Sequence, residues 1–270
     1  MHARLIVCCS VVCVQSRFRG TVATETQCAN NIHTVHLNRC FCDCVLVDVG
    51  LNNGDSIHEW PKAAVAKLKK YQHPWQLTRR MNECNNISRV CVYGFEANPA
   101  FDHTLHSLEQ QLQSSHVSVK FFTSTAFSTH AENVQFFAEP ASSGTGQTIS
   151  TLDPRMLLMS VTNGKWKRNE SAIVKDHYHK IQVAAVDAGS FLSELLSASG
   201  FIALKLDIEA FEYTLLPHLL LTRPQTLCAL NVLMIEWHEF WQAPHHRGKM
   251  AHITWMMRQP WCNVTLLSWH

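Results

Sequence analysis

Val45-Leu-Val-Asp-Val-Gly-Leu-Asn-Asn-Gly54 is an apolar run that ends in an acid and a glycine-bearing loop, and Val92-Tyr-Gly-Phe-Glu-Ala-Asn-Pro99 repeats the pattern further on. Short, continuous apolar runs of this kind are strands buried on both faces of a parallel sheet. In such sheets ligands lie in the crevice beyond the carboxyl ends of the strands. Each run delivers an acid to that crevice, Asp48 from the first and Glu96 from the second. Gly50 and Gly54 are expected to let backbone approach a ligand closely. Glu96 is placed to accept hydrogen bonds from ribose hydroxyls, so the pair reads as a nucleoside-cofactor site in an α/β fold.

The loop chemistry narrows the cofactor. A dinucleotide loop follows G-x-G-x-x-G with an acid about 20 residues later; here the glycines are Gly50 and Gly54, and the next motif acid comes much later. A triphosphate loop ends in G-K-[ST], whereas Gly54 is followed by Asp55 and Ser56. An acid immediately before the loop suits a cationic or zwitterionic ligand. S-adenosylmethionine, with an ammonium, a sulfonium and a ribose, has that character. An ordinary strand-turn-helix would explain either motif alone; both in order favour the site.

Asp48-Val-Gly-Leu-Asn-Asn-Gly54, Phe95-Glu-Ala-Asn-Pro99 and Lys205-Leu-Asp-Ile-Glu-Ala-Phe-Glu212 together resemble the FkbM family of S-adenosylmethionine-dependent methyltransferases. That family shows D-x-G-A-N-x-G, F-E-P-N-P and K-I-D-V-E-G-x-E, then a strand ending in an acid, which Ile235-Glu-Trp-His238 matches. Leu51, Ala97 and Ala210 stand where the family has alanine, proline and glycine. The resemblance, over roughly residues 45–240, implies a doubly wound, Rossmann-like methyltransferase sheet with flanking helices and S-adenosylmethionine as cofactor. It implies Asp48, Gly50, Asn52, Gly54, Glu96, Asn98 and Asp207 as cofactor-binding residues. The acceptor, a small molecule, glycan or lipid, is not identified, and oxygen as the methylated atom comes from the resemblance alone. The alternatives are a catalytically inactive methyltransferase-like binding module and an NAD-dependent oxidoreductase, the second disfavoured by the loop.

Methyl transfer needs donor, methyl and acceptor in line, and a hydroxyl acceptor must lose its proton. His238 is the best base by type, because an unperturbed imidazole titrates near neutrality. It lies just past a strand end. Asp207, at the end of the Ala203-Leu-Lys-Leu-Asp207 strand, and Glu209 are its rivals as base or as metal ligand; no metal is expected. Glu212 reads as an acid at a helix start. With 17 histidines in the chain, any one is more often structural than catalytic. His177, His179, His245 and His246 read as surface residues or lining of the site's mouth.

A chain of 270 residues holds one sizeable α/β core. A net charge of +2 gives no electrostatic case for nucleic acid. Residues 1–40 read as a leader or extension and 41–270 as the methyltransferase domain. Leu5 to Val14 is apolar, flanked by arginines, and no acid precedes Glu25. Such a run is too short to span a bilayer but suits a signal-peptide core. The compartment therefore stays open between cytoplasmic and secretory or organellar, and the sequons at Asn86, Asn169 and Asn263 matter only in the second case. The 11 cysteines include Cys40-Phe-Cys-Asp-Cys44, whose one-residue spacing does not match common zinc sites; free cysteines are expected there.

Alternating strands and helices are expected along the rest. The helices are Asp55 to Tyr71, restarting at Pro61, then Phe101 to Leu112, Ser190 to Ser197 and Glu209 to Leu216. The strands are Val117 to Phe122, Asn133 to Phe137, Ile202 to Ile208, Val232 to Glu236 and Val264 to Leu267. Gln72 to Ser88 reads as an inserted loop, Ala141 to Thr148 as a flexible one, and Met156 to His179 as an excursion over the mouth.

Overall fold

The computed structural model describes residues 6–8, 11–13, 42–84, 90–115, 117–138, 159–162, 165–168, 179–197, 199–238 and 244–269. The elements in chain order are β1 (Ile6–Cys8), β2 (Val11–Cys13), β3 (Cys44–Val49), α1 (Ser56–Lys70), α2 (Trp75–Glu83), β4 (Val90–Phe95), α3 (Asp102–Ser114), β5 (Ser118–Phe122), β6 (Thr125–Ser128) and β7 (Val134–Ala138). They continue as β8 (Met159–Thr162), β9 (Lys165–Arg168), β10 (His179–Asp187), α4 (Ala188–Leu196), β11 (Ile202–Leu206), α5 (Glu212–Thr222), α6 (Pro224–Cys228), β12 (Val232–Ile235), α7 (Pro244–Met257) and β13 (Thr265–Ser268).

Six strands form one sheet in the order β13-β12-β11-β3-β4-β5, every neighbouring pair parallel. From β3 the chain winds outward to β5, then returns to the centre and winds outward the other way through β11, β12 and β13. This is the doubly wound arrangement, and its reversal point lies between β3 and β11, where a crevice must open. β3 explains its own burial. Val45, Val47 and Val49 point into the layer that holds α4, α5 and α7, while Cys44 and Leu46 point into the layer of α1 and α3. Both faces are covered, so the strand reads as a continuous apolar run.

A second sheet, β6-β10-β7, stands beyond the end of β4, with β10 parallel to β6 and antiparallel to β7. Neither β6 nor β10 was expected from the sequence. β6 is four residues long, and β10 falls at the end of the stretch read as an excursion. β6 and Phe136 of β7 supply one wall of the site, and β10 joins the two strands.

Three local expectations are corrected. Half of the segment read as an inserted loop is helix α2, anchored by the fully buried Met81; its apolar residues are too sparse to signal a helix unaided. Pro61 does not restart a helix but sits inside α1, where the buried Ile57, Trp60, Ala64 and Leu68 outweigh the lost backbone hydrogen bond. Cys42 and Cys44 are not free: Cys42 pairs with Cys91, Cys44 with Cys84, and Cys228 with Cys262. The first two bridges lie on opposite faces of the sheet, because Cys42 precedes β3 and does not follow its alternation. Most of residues 1–40, the Ala141–Thr148 loop and most of the Met156–His179 excursion lie outside the described residues, as do the side chains of His177, His179, His245 and His246. No helix among the described residues is long and apolar enough to cross a membrane.

Candidate active site

The crevice at the reversal point is a pocket lined by the carboxyl ends of β3, β4 and β11 and by the second sheet. Among the described residues its acids are Glu96, Asp207 and Glu209, and no lysine, arginine or histidine lines it. Phe95, Phe101, Phe127, Phe136 and Phe211 form its apolar surface. Phe95 stacks on Phe122 with ring centroids 4.6 Å apart and meets Phe191 edge-on at 5.0 Å, which fixes the floor.

Glu96 is held by the first loop. Its Oε2 accepts a hydrogen bond from the Asn52 backbone N–H and its Oε1 from that of Asn98, both at 2.7 Å. Burial outweighs these bonds and pushes the carboxyl up to about 7. Asn52 adopts a positive φ of 54° to aim its N–H at Glu96. Asn98 is buried, and its side chain caps the turn Pro99–Phe101 at the Ala100 N–H. It shapes the site without lining it.

The two glycines allow close packing within the protein, and Gly50 also lines the pocket. A Cβ on Gly50 would overlap the backbone carbonyl of Asp207, so glycine is what lets the ends of β3 and β11 meet. A Cβ on Gly54 would overlap the Leu108 side chain of α3. Gly94 belongs with them, because the Leu51 side chain fills the space its Cβ would need. The departure at Leu51 is thus matched by a glycine on the neighbouring strand.

Asp48 does not reach the pocket. It is fully buried, accepts from the Ser56 hydroxyl at 2.7 Å and pairs with Lys205 Nζ at 3.1 Å. The parallel register puts Lys205 directly opposite Asp48 across the reversal point. Lys205 Nζ also reaches Asp207 Oδ2 at 3.3 Å and the Gly50 carbonyl at 3.4 Å. Burial alone would lower the Lys205 pKa, but Asp48 and Asp207 outweigh it and hold it above its usual value. Lys205 received no role in the sequence reading. The available signal was a lysine in the middle of a strand buried on both faces, which demands a charged partner.

Asp207 and Glu209 line the pocket and His238 stands directly behind them. His238 Nε2 lies 3.7 Å from Asp207 Oδ1 and 3.3 Å from Glu209 Oε2, while Nδ1 lies 3.3 Å from Glu212 Oε1. Burial opposes charge on the ring, but Glu212, Glu209 and Asp207 outweigh it and push His238 up to about 10. In the free chain it is therefore an imidazolium at neutral pH and holds no lone pair for a proton. Burial pushes Glu209 up to about 8, with His238 opposing and neighbouring acids assisting. Glu212 starts α5 as expected, and its Oε1 also reaches back to the Ile208 N–H at 2.7 Å. Asp207, Glu209 and His238 each offer a ligand atom within 4.8 Å of the others, and no other such group occurs among the described residues.

The structure thus brings Gly50, Asn52, Glu96, Asp207 and Glu209 to one pocket, sets His238 at its rim, and leaves Asp48, Gly54 and Asn98 as supports behind it. A family model described as the methyltransferase FkbM domain matches residues 48–255. No curated protein and no solved structure matches the chain.

Proposed function

The chain belongs to the FkbM-domain methyltransferases, and from that premise we propose that it transfers a methyl group from S-adenosylmethionine to a hydroxyl oxygen of its acceptor. The observation that carries this reading is a pocket at the sheet's reversal point lined, among the described residues, by three carboxyl groups and no basic side chain. Such a lining repels the pyrophosphate of NAD and the phosphates of ATP. It suits a ligand with a cationic centre and a diol, so the residues fit S-adenosylmethionine.

When bound, S-adenosylmethionine supplies an electrophilic methyl: the C–S bond breaks, a C–O bond forms, and sulfur keeps the electron pair as a thioether. The protein's part is placement and charge. Glu96, fixed by two backbone donors, keeps lone pairs for the ribose hydroxyls. The phenylalanine surface takes the adenine, and Asp207 takes the cationic end beside Gly50 and Asn52. Glu209 and His238 flank the acceptor side. Glu209 is the group there whose carboxylate, once ionised above about pH 8, can take the acceptor's proton, and His238, as an imidazolium, holds Asp207 and Glu209 in place. Residues 41–270 form the catalytic domain in this reading, with 1–40 a leader or extension.

The departures at Leu51 and Ala210 are buried in the fold and leave the pocket open, while Ala97 lines it without closing it. They do not favour the inactive-module reading. Thermal shift separates the cofactor classes, because a ligand that binds only the folded state raises Tm. S-adenosylmethionine and its demethylated product are expected to raise it, and NAD and ATP to do so much less; a larger shift with NAD would overturn the reading. Labelled methyl transfer onto glycans, lipids and small alcohols then tests turnover, and donor binding without transfer to any acceptor would restore the inactive module.

A further inference from the structure

The acid cluster at the rim is larger than its counter-charge. Asp207, Glu209, Glu212 and Glu236 all bear on this corner, against His238 and the distant side of Lys205. The sequence reading expected no metal here, but three features point to one. The His238 ring is buried, and its Nε2 aims between the Asp207 and Glu209 carboxylates. The separations of 3.3 and 3.7 Å are close to the edges of a coordination polyhedron, about 3.0 Å for an octahedron and about 3.4 Å for a tetrahedron at metal–ligand bonds near 2.1 Å. The third feature lies behind the ring. Nδ1 is buried, and 3.3 Å away stands the fully buried carboxylate of Glu212. A carboxylate behind a histidine is the usual way a metal-bound ring is oriented and made more basic.

We propose that Asp207, Glu209 and His238 form a divalent-cation site, with Glu212 as its orienting carboxylate, and that this cation receives the acceptor's hydroxyl. Three protein ligands on one side leave open positions toward the pocket, where two acids already face. Two carboxylates and one imidazole suit a cation that accepts both oxygen and nitrogen, with Mn2+ a fitting probe. The role given to the acceptor rests on the methyltransferase reading; the site itself rests on geometry. With an acceptor bound, its O–H proton passes to solvent, Glu209 serving here as a ligand in place of the base role given it above, and the oxygen attacks the sulfonium methyl as the C–S bond breaks. The acceptor class is then a hydroxyl compound with a second oxygen beside the reacting one, able to chelate.

Mn2+ binding to the purified full chain, followed by electron paramagnetic resonance and calorimetry, tests the site without any turnover. One Mn2+ per chain is expected, with Asp207→Asn and His238→Gln each weakening it at least tenfold. Glu212→Gln should weaken it by about 10–100-fold while leaving all three ligands in place. Should a ligand variant fail to fold, wild-type chain with and without Mn2+ still decides: the metal should raise Tm and quench His238 ring resonances. No binding at millimolar Mn2+, or binding that survives in Asp207→Asn, overturns the proposal and leaves His238 as the cluster's own counter-ion. The two readings fail separately. Methyl transfer at full rate in a chelator removes the cation site and keeps the methyltransferase; Mn2+ bound at these residues with no response to S-adenosylmethionine does the reverse.

Discussion

On the function proposed above, Glu96 is the residue where charge and cofactor meet most directly. Its carboxyl is pushed up to about 7 by burial, so near neutrality it is half protonated in the free chain. Ribose hydroxyls donate, and they favour the ionised form. Cofactor affinity is therefore expected to rise about tenfold between roughly pH 6 and pH 8, as the proton that opposes binding is lost. Calorimetry across that range checks this, and Glu96→Gln should flatten the profile while lowering affinity. The same shift acts on folding with the opposite sign. A carboxyl whose folded pKa exceeds its unfolded value binds more protons when folded, so its contribution is most favourable below the unfolded pKa and declines as pH rises through about 7.

Ala210 is a second residue-scale test. It holds a φ of 71°, next to Glu209 at 51°, where the family carries glycine. An L side chain in that region costs about 1 kcal/mol, so Ala210→Gly is expected to raise Tm by roughly 2–4 °C. Differential scanning calorimetry decides; a lower Tm would mean that the buried methyl packs more favourably than the strain costs.

At the scale of elements, the ends of β3, β4 and β11 fit because two glycines, Gly50 and Gly94, leave room for other groups. Gly94→Ala should destabilise by several kcal/mol, since Leu51 and Phe121 fill the space. Leu51→Ala alone should cost about 2–5 kcal/mol through the cavity it leaves. The double variant should cost less than the sum, with a coupling of about 1–3 kcal/mol, read from denaturant unfolding. Strict additivity would mean that the two sites do not share the space. These strands were legible in the sequence because a strand covered on both faces has one pattern, an unbroken apolar run such as Val45 to Val49. So were Asp207 and Glu96, because strand ends face the crevice. β6 and β10 were not legible: Thr125–Ser128 is short and mixed, and its pairing with β10 joins segments whose closeness no local pattern encodes. The pairing of Asp48 with Lys205 was not legible for a similar reason. That its partner is Lys205 depends on register between strands more than 150 residues apart, which only the assembled sheet fixes.

For the whole molecule, the three disulfides are the largest correction to the sequence reading. They close separations of 49, 40 and 34 residues, each stabilising by about 4 kcal/mol in the chain-entropy model. Bonds of this kind persist in oxidising surroundings, which favours the secretory side of the alternative left open by the leader. Alkylation of the unfolded, unreduced chain should therefore spare six cysteines in mass spectrometry, and reduction should lower Tm by 10 °C or more, about 2–4 °C per kcal/mol for a chain of this size. Modification of all 11 cysteines without reduction would remove the bridges.

The winding of the sheet also sets an order of events during synthesis. β3, β4 and β5 are made first, and they carry Asp48, Gly50 and Glu96. β11, which brings Lys205 and Asp207 to their side, leaves the ribosome more than 80 residues after β5. Until it slots in between β3 and the strands still to come, Asp48 lacks Lys205 and the pocket lacks the side that Asp207 and Glu209 form. On the function proposed above, a nascent chain without β11 is therefore expected not to hold S-adenosylmethionine. Ligand capture is in this sense a proofreading signal: it registers that the longest-range contact in the sheet has been made, and it rewards that contact with the free energy of binding.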